Sequence, residues 1–462
     1  MQSPTTILNS QSETLRFGPA AQRMIVLGLV LAVIGAVGAY FCGFRVESAR
    51  PLFYHAYLVA FVFYLTITLG SLFFVLLHHL ARAGWSVTLR RLAEALSGNV
   101  ALMAILFVPL AFNLHEIYPW AKDQVAATET IGPIGPIGPT HSAGGEAQHV
   151  VAGHDIWLTR TNFIGRFVIY FVIWGFLAWY FRGHSILQDS TGKVKLSKSM
   201  ERLSAPGMIL FAFTITLAAV DLIMSLNPHW CSTMIGVYLF ADAVLSGLVV
   251  ITLLALWLQS RGLLRGVVTK EHYHDLGKLT FAFVFFWGYI AFSQYMLIWY
   301  ANMPEETQFY MIRQIGPWAG VSLALIVVHF VLPFLGLMSK HVKRALPLFA
   351  FWLIWLLVAH AFDLFWLIMP NVFVRQIGTP LPEAFKTILV SQQSVYQLDP
   401  GSTLLIDAVN APLQPLAIAT VIGLLIAMGG LFIANTAWLL RGAALVPVKD
   451  PRLNESLNFH NT

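Results

Sequence analysis

Long, nearly uninterrupted apolar runs alternate along this chain with short polar connections. About 20 mainly apolar residues are needed to cross about 30 Å of hydrocarbon at 1.5 Å of rise per residue. Ten runs reach that length, near residues 24 to 44, 53 to 79, 89 to 112, 160 to 182, 205 to 226, 231 to 258, 276 to 300, 316 to 339, 346 to 369 and 416 to 440. They lack the period-two alternation of a membrane barrel. The pattern therefore predicts an all-α membrane protein with ten transmembrane helices.

A weaker pattern lies within it. Span five ends Ala219-Val220-Asp221-Leu222 and runs on to Pro228, while span nine ends Ala361-Phe362-Asp363-Leu364 and runs on to Pro370. In both, the Pro follows the Asp at the same spacing. Spans two and six share Tyr-Leu followed by a small pair, Gly70-Ser71 and Ser246-Gly247, where helices approach closely. These matches predict two parallel-repeat four-helix bundles, spans 2–5 and 6–9, with spans 1 and 10 flanking them. The predicted organisation is an N-terminal segment 1–23, flanking span 24–52 and a first bundle 53–230 with an insertion at 113–159. A second bundle 231–370, a loop 371–415, flanking span 416–440 and a tail 441–462 follow. Within the insertion, Ile131 to Pro139 repeats Ile-Gly-Pro, which excludes helix and central strand, since every third residue is Pro. Loops this long are candidates for docking an external partner.

Composition agrees with lipid as the solvent: 57% hydrophobic and 11% charged residues, with mean hydropathy +0.71. The formal charge of +6 is a topology signal. Of the 28 Lys and Arg, twenty fall on the face carrying the termini, seven on the other, and Arg166 within a span. Short basic loops resist translocation, so both termini are expected in the cytoplasm. Basic residues spread over several short segments form no groove-sized patch, which argues against nucleic acid. Polar residues 1–23, with no cleavage pattern after the first run, predict an uncleaved anchor. Cys42 and Cys231 cannot hold an iron–sulfur cluster or covalent haem alone and are expected to be free thiols.

Ionisable side chains inside spans are costly and need partners or water. In the first bundle these are His55, His115, Glu116, Arg166 and Asp221, a candidate quinone or proton site in the third of the bilayer away from the termini. Arg166 and Asp221 are expected at equal depth, either as an ion pair or as a site where carboxylate and imidazole exchange protons with a quinol hydroxyl. In the second bundle Asp242, Gln294, His329, His360 and Asp363 form a candidate proton relay, or a set of interhelical hydrogen bonds. His360 and Asp363, three residues apart, share a helix face. His274 and Asp275 are candidates for cytoplasmic proton entry. Neighbouring histidines such as His78 and His79 diverge around a helix, so no metal site is expected. Trp120, Trp157, Trp230, Trp299 and Trp318, at span ends, are expected as interface anchors. No nucleotide loop, nucleophile elbow or H-E-x-x-H run occurs.

Several stretches resemble a known family: Leu76-Leu77-His78-His79-Leu80, His115-Glu116-Ile117-Tyr118-Pro119-Trp120, Ala219 to Asp221 with Asn227-Pro228-His229-Trp230, Phe292-Ser293-Gln294-Tyr295 with Met303-Pro304-Glu305-Glu306, and Phe362 to Leu367. In these the chain resembles the NrfD/PsrC-like integral membrane subunits, specifically the second such subunit of alternative complex III, a bacterial quinol:electron-acceptor oxidoreductase. The resemblance implies a cofactor-free subunit, not catalytic alone, in the bacterial inner (cytoplasmic) membrane. It implies a quinone, menaquinone or ubiquinone, as the redox partner near the first bundle. It implies as partners a second NrfD-like membrane subunit, an iron–sulfur subunit, multihaem cytochrome c subunits and membrane lipid, with protons moving through polar residues in the bundles. Because quinone in such complexes belongs more securely to the companion subunit, an Arg166–Asp221 pair filling the pocket would leave this chain handling protons or acting as scaffold. The competing readings are a secondary transporter using midplane carboxylates, with Pro109 and Pro333 as candidate helix breaks, and a purely structural membrane anchor.

Overall fold

A computed structural model describes residues 17–45, 49–121, 157–228, 230–314, 316–372 and 410–460. The Ile-Gly-Pro repeat and most of both long insertions lie outside the described residues. Ten helices are long and apolar enough to cross a membrane: α1 (Ala20–Phe44), α2 (Arg50–Leu80), α3 (Val87–Phe112), α4 (Arg160–Thr191), α5 (Val194–Leu226), α6 (Ile235–Ser260), α7 (Lys270–Ala301), α8 (Pro317–Met338), α9 (Leu346–Ile368) and α10 (Pro415–Arg441). No β-strand occurs among the described residues. The protein is an all-helical, multi-pass membrane protein, and each helix coincides with one of the ten apolar runs.

Helices α2 and α6 occupy the centre and pack on each other. Around α2 lie α3, α4 and α5; around α6 lie α7, α8 and α9; α1 and α10 pair along one flank. The crossing of α2 and α6 depends on the small pairs noted in the sequence, which meet. A Cβ placed on Gly70 would lie 1.7 Å from the Ala243 carbonyl oxygen, and one on Gly247 would lie 2.6 Å from the Gly70 carbonyl carbon. The flanking pair uses the same device at Gly28 and Gly430, whose added Cβ atoms would each lie within 2.5 Å of the other's carbonyl oxygen. Since backbone cannot yield as a side-chain tip can, Gly70→Ala is expected to cost about 1–3 kcal/mol through separation of the two central helices. A lowered midpoint in thermal unfolding of the detergent-solubilised protein is the readout; an unchanged midpoint would contradict the close approach.

On the side of the termini, the first turns of α3 carry charges into the interior. Arg90, Arg91 and Glu94 are all buried. Arg91 Nε lies 3.2 Å from Glu94 and its Nη2 lies 2.7 Å from Asp189, while Arg90 pairs with Asp450. Both arginines begin the third apolar run and count among the basic residues on the face of the termini; the C-terminal segment covers Arg90 through Asp450. Asp189 accepts from the Val448 amide at 2.9 Å, Arg452 pairs with Glu201 at 3.4 Å, and the Ser456 hydroxyl lies 3.1 Å from both Thr88 and His272. Residues 448–456 thus tie the α2–α3 corner to the α4–α5 corner and to the start of α7.

A short helix, Pro304–Ile312, precedes α8. The expectation of aromatic anchors at span ends is corrected for three of the five tryptophans. Trp120, Trp230 and Trp318 are buried, and Trp230 stacks on Phe309 with centroids 4.0 Å apart; Trp157 and Trp299 are exposed. Cys42 and Cys231 are free thiols.

Candidate functional site

Two carboxylates, Asp221 near the end of α5 and Asp363 near the end of α9, are fully buried. Their surroundings share two residue types and differ in a third. Asp221 accepts from the Tyr170 hydroxyl at 2.9 Å and from the Trp157 indole at 3.1 Å. Asp363 accepts from the Tyr238 hydroxyl at 2.5 Å and from the Trp287 indole at 3.3 Å. The difference is the cation.

Arg166 grips Asp221 through both arms, Nε to Oδ2 at 2.9 Å and Nη2 to Oδ1 at 2.8 Å. Its Nη1 donates to the Trp157 carbonyl at 2.8 Å, and the guanidinium lies over the Trp157 ring, 4.0 Å from the centroid. Asp221 therefore receives four hydrogen bonds, two of them from a charged fork, the strongest pairing available to a carboxylate. Four donors fill the lone-pair directions of the carboxylate, so it has none left to offer. The other residues named for this bundle engage sequence neighbours of their own: His115 Nε2 is 3.7 Å from Glu116, and His55 Nδ1 engages the Pro51 carbonyl at 2.7 Å.

Around Asp363 the arrangement is open. His329 Nδ1 lies 3.9 Å from Asp363 Oδ2, and Asp242 Oδ1 lies 3.5 Å from His360 Nδ1. All four side chains are buried, and among the described residues no Lys or Arg forms an ion pair with either carboxylate. Among the described residues, both ring nitrogens of His329 and Nδ1 of His360 have no hydrogen-bond partner, and the Asp242 carboxyl interacts with that of Asp363. His329 sits in a π-helical turn of α8, Ile326–Val331, a local widening found often at functional sites.

The tautomer of His360 follows from its other neighbour. The Thr66 hydroxyl donates to the Phe63 carbonyl at 2.8 Å, so its oxygen must accept from His360 Nε2–H at 2.9 Å. Nδ1, facing Asp242, then has a lone pair when the ring is neutral. One proton belongs between Asp242 and His360, on the acid or on the ring. Two carboxylates without a cation cannot both remain charged in this interior, where the effective penalty is several kcal/mol per ion. Protons must balance them, and two imidazoles are placed to supply or accept those protons. One donor atom each from Asp242, His329 and Asp363 falls within 4.8 Å of the others, a set that could also hold a metal ion, although none was expected from the sequence.

The structure thus brings together Asp242, His329, His360 and Asp363. Gln294 sits seven residues beyond Trp287 on α7, toward Tyr310, a group whose hydroxyl burial raises and whose shift the Gln294 hydrogen bond opposes. Beside Tyr310 lies Arg313, in the segment between α7 and α8. It is buried, donates to the carbonyls of Trp366 at 3.1 Å, Leu367 at 2.8 Å and Phe309 at 2.6 Å, and lies 3.5 Å from the Phe309 ring centroid. Burial lowers its guanidinium to about 9, still charged at neutral pH. Arg313 satisfies the carbonyls that end α9, a favourable place for a cation. On the side of the termini, Asp275 pairs with Lys278, and neither ring nitrogen of His274 has a hydrogen-bond partner.

The supporting residues Thr66, Tyr170, Tyr238 and Trp287 were not singled out from the sequence. Tyr and Trp have a polar tip that is usually bonded when buried, so aromatic residues within spans that also carry Asp were the available signal.

Fold and site together define a multi-pass helical membrane protein with two unlike buried carboxylate centres, one paired with Arg166 and one facing two imidazoles. No protein-family model matches the chain, and no curated protein matches it.

Proposed function

We propose that this chain is a proton-handling membrane subunit of a quinol-linked respiratory complex in the bacterial inner membrane, with both termini cytoplasmic. The observation that supports proton handling is the group Asp242, His360, His329 and Asp363: buried, without a paired Lys or Arg among the described residues, and with imidazole and carboxyl groups facing one another. In this reading a proton passes between Asp242 and His360 Nδ1, and Asp363 exchanges with His329, with water bridging the longer separations. The quinol-linked part rests on the sequence stretches that resemble NrfD/PsrC-like subunits of alternative complex III. The closed Arg166–Asp221 pair favours assigning quinone, menaquinone or ubiquinone, to a companion membrane subunit. Electrons would then leave through iron–sulfur and multihaem cytochrome c partners, and this chain would bind no redox group covalently.

Purification of the chain from its native membrane in mild detergent tests this reading. The expected result is copurification of c-type haem absorbance, an iron–sulfur protein and a second multi-span subunit. A colourless protein free of other subunits would overturn it. That outcome favours a secondary transporter, a reading to which the π-helical turn around His329 lends support because transporters bind substrates where spanning helices depart from regular geometry.

A further inference from the structure

A groove of about 510 Å³ runs between α3 and α4 on the half of the molecule away from the termini. Its volume falls among ligand pockets of about 300–1,000 Å³. Ala104 and Ala111 on α3, seven residues apart and hence on one face, leave the space, and Ile164, Val168 and Phe171 of α4 form the opposite wall. Phe107 is the floor, held by stacking on Phe167 with centroids 4.3 Å apart. Among the described residues, every side chain that lines the groove is apolar except Arg160, the first residue of α4.

We propose that this groove binds one anionic phospholipid from the leaflet opposite the termini, with an acyl chain along the apolar walls and its phosphate at Arg160. Three observations carry the assignment. The wall on α4 extends from Arg160 to Val172, twelve residues or about 18 Å, close to one leaflet of a hydrocarbon core about 30 Å thick. Its charged end lies where α4 begins, at the level at which phosphates sit, and the long Arg stem lets the guanidinium reach them. The charge is positive, which complements a phosphodiester; basic side chains at the mouths of grooves between spanning helices recognise lipid headgroups in this way. A quinone head needs donors for two carbonyls at opposite ends of a ring, and the described residues offer one polar side chain, at the mouth of the groove. The inference is independent of proton handling.

The experiment uses the full chain with whatever subunits accompany it, reconstituted into nanodiscs of mixed phosphatidylglycerol and phosphatidylcholine, then stripped with detergent and examined by native mass spectrometry and lipid extraction. The wild type is expected to retain about one phosphatidylglycerol per chain. Val108→Trp, which adds bulk at a half-exposed lining position, is expected to lose it with an unchanged melting temperature. Arg160→Gln is expected to retain a lipid but to lose about fivefold in its preference for phosphatidylglycerol over phosphatidylcholine. Equal lipid content in the wild type and Val108→Trp, an unchanged preference in Arg160→Gln, or recovery of a quinone displaced by Val108→Trp would each overturn the proposal. If Val108→Trp fails to fold, Ala111→Leu fills the same space with a smaller side chain and decides between the same outcomes.

Discussion

Asp363→Asn is expected to reduce proton movement by the reconstituted complex by about 10²-fold or more, the usual range for removal of a general acid or base. The side chain keeps nearly the same volume. The Asn carbonyl accepts from Tyr238 as Asp363 Oδ1 does, so α6 and α9 remain joined, while the amide nitrogen takes the place of Oδ2 and the hydrogen bond from the Trp287 indole is lost. What is lost is the ability to alternate between acid and carboxylate beside His329. Asp242→Asn is expected to behave similarly through His360, because an amide cannot pass a proton to Nδ1. The measurement is a pH-sensitive dye inside proteoliposomes during quinol oxidation, with electron transfer to the acceptor followed in parallel. Proton movement at the wild-type rate in both variants would remove the second bundle from the pathway and leave its polar groups as interhelical hydrogen bonds. Loss in one variant alone would show which imidazole–carboxylate pair is used.

The ten helices were legible because hydrocarbon thickness sets a length that apolar runs either meet or miss, and the described helix ends fall within a few residues of those runs except where amphipathic ends extend them, as at Arg160–Thr191 and Lys270–Ala301. The second-bundle group was legible for a related reason: buried ionisable residues are rare enough in such spans that four of the five named from sequence converge. What sequence could not supply was the sign of each site's charge balance. Arg166 was visible as a charge within a span, and its depth matched that of Asp221. Arg313 lay outside the spans and read as an ordinary connecting-segment residue; only the turn of chain after Pro304–Ile312 carries it back onto the last carbonyls of α9. Arg90 was hidden in the same way, since its partner Asp450 lies 360 residues distant in sequence, and Arg91 was hidden because its partner Asp189 lies 98 residues away on α4. Long-range closure of this kind leaves no periodic trace. The small pairs at Gly70 and Gly247 were visible as close-approach positions, yet that they meet each other follows only from the packing of α2 on α6.

Breaking the Arg166–Asp221 pair from one side is expected to cost about 3–5 kcal/mol, since either substitution leaves the remaining charge buried without its partner. Asp221 is fully enclosed, and Arg166, Tyr170 and Trp157 all direct donors at it. Arg166→Met therefore leaves a carboxylate that must take up a proton, whereas Asp221→Leu leaves a guanidinium with the Trp157 carbonyl and ring as its remaining contacts. The double variant Arg166→Met/Asp221→Leu removes both charges and is expected to recover most of that loss, because well-packed apolar residues commonly match a buried ion pair in stability. Unfolding of the detergent-solubilised protein followed by circular dichroism gives the cycle, and a coupling of about 3 kcal/mol or more is the expected result. Near-additive singles would show instead that water or another group screens each charge, so that Asp221 is free to exchange protons after all. Against that background the double variant also serves function: with stability recovered, it should move protons as the wild type does, since a carboxylate locked between two guanidinium nitrogens contributes structure, while the one at Asp363, without such a cation, retains a proton to exchange.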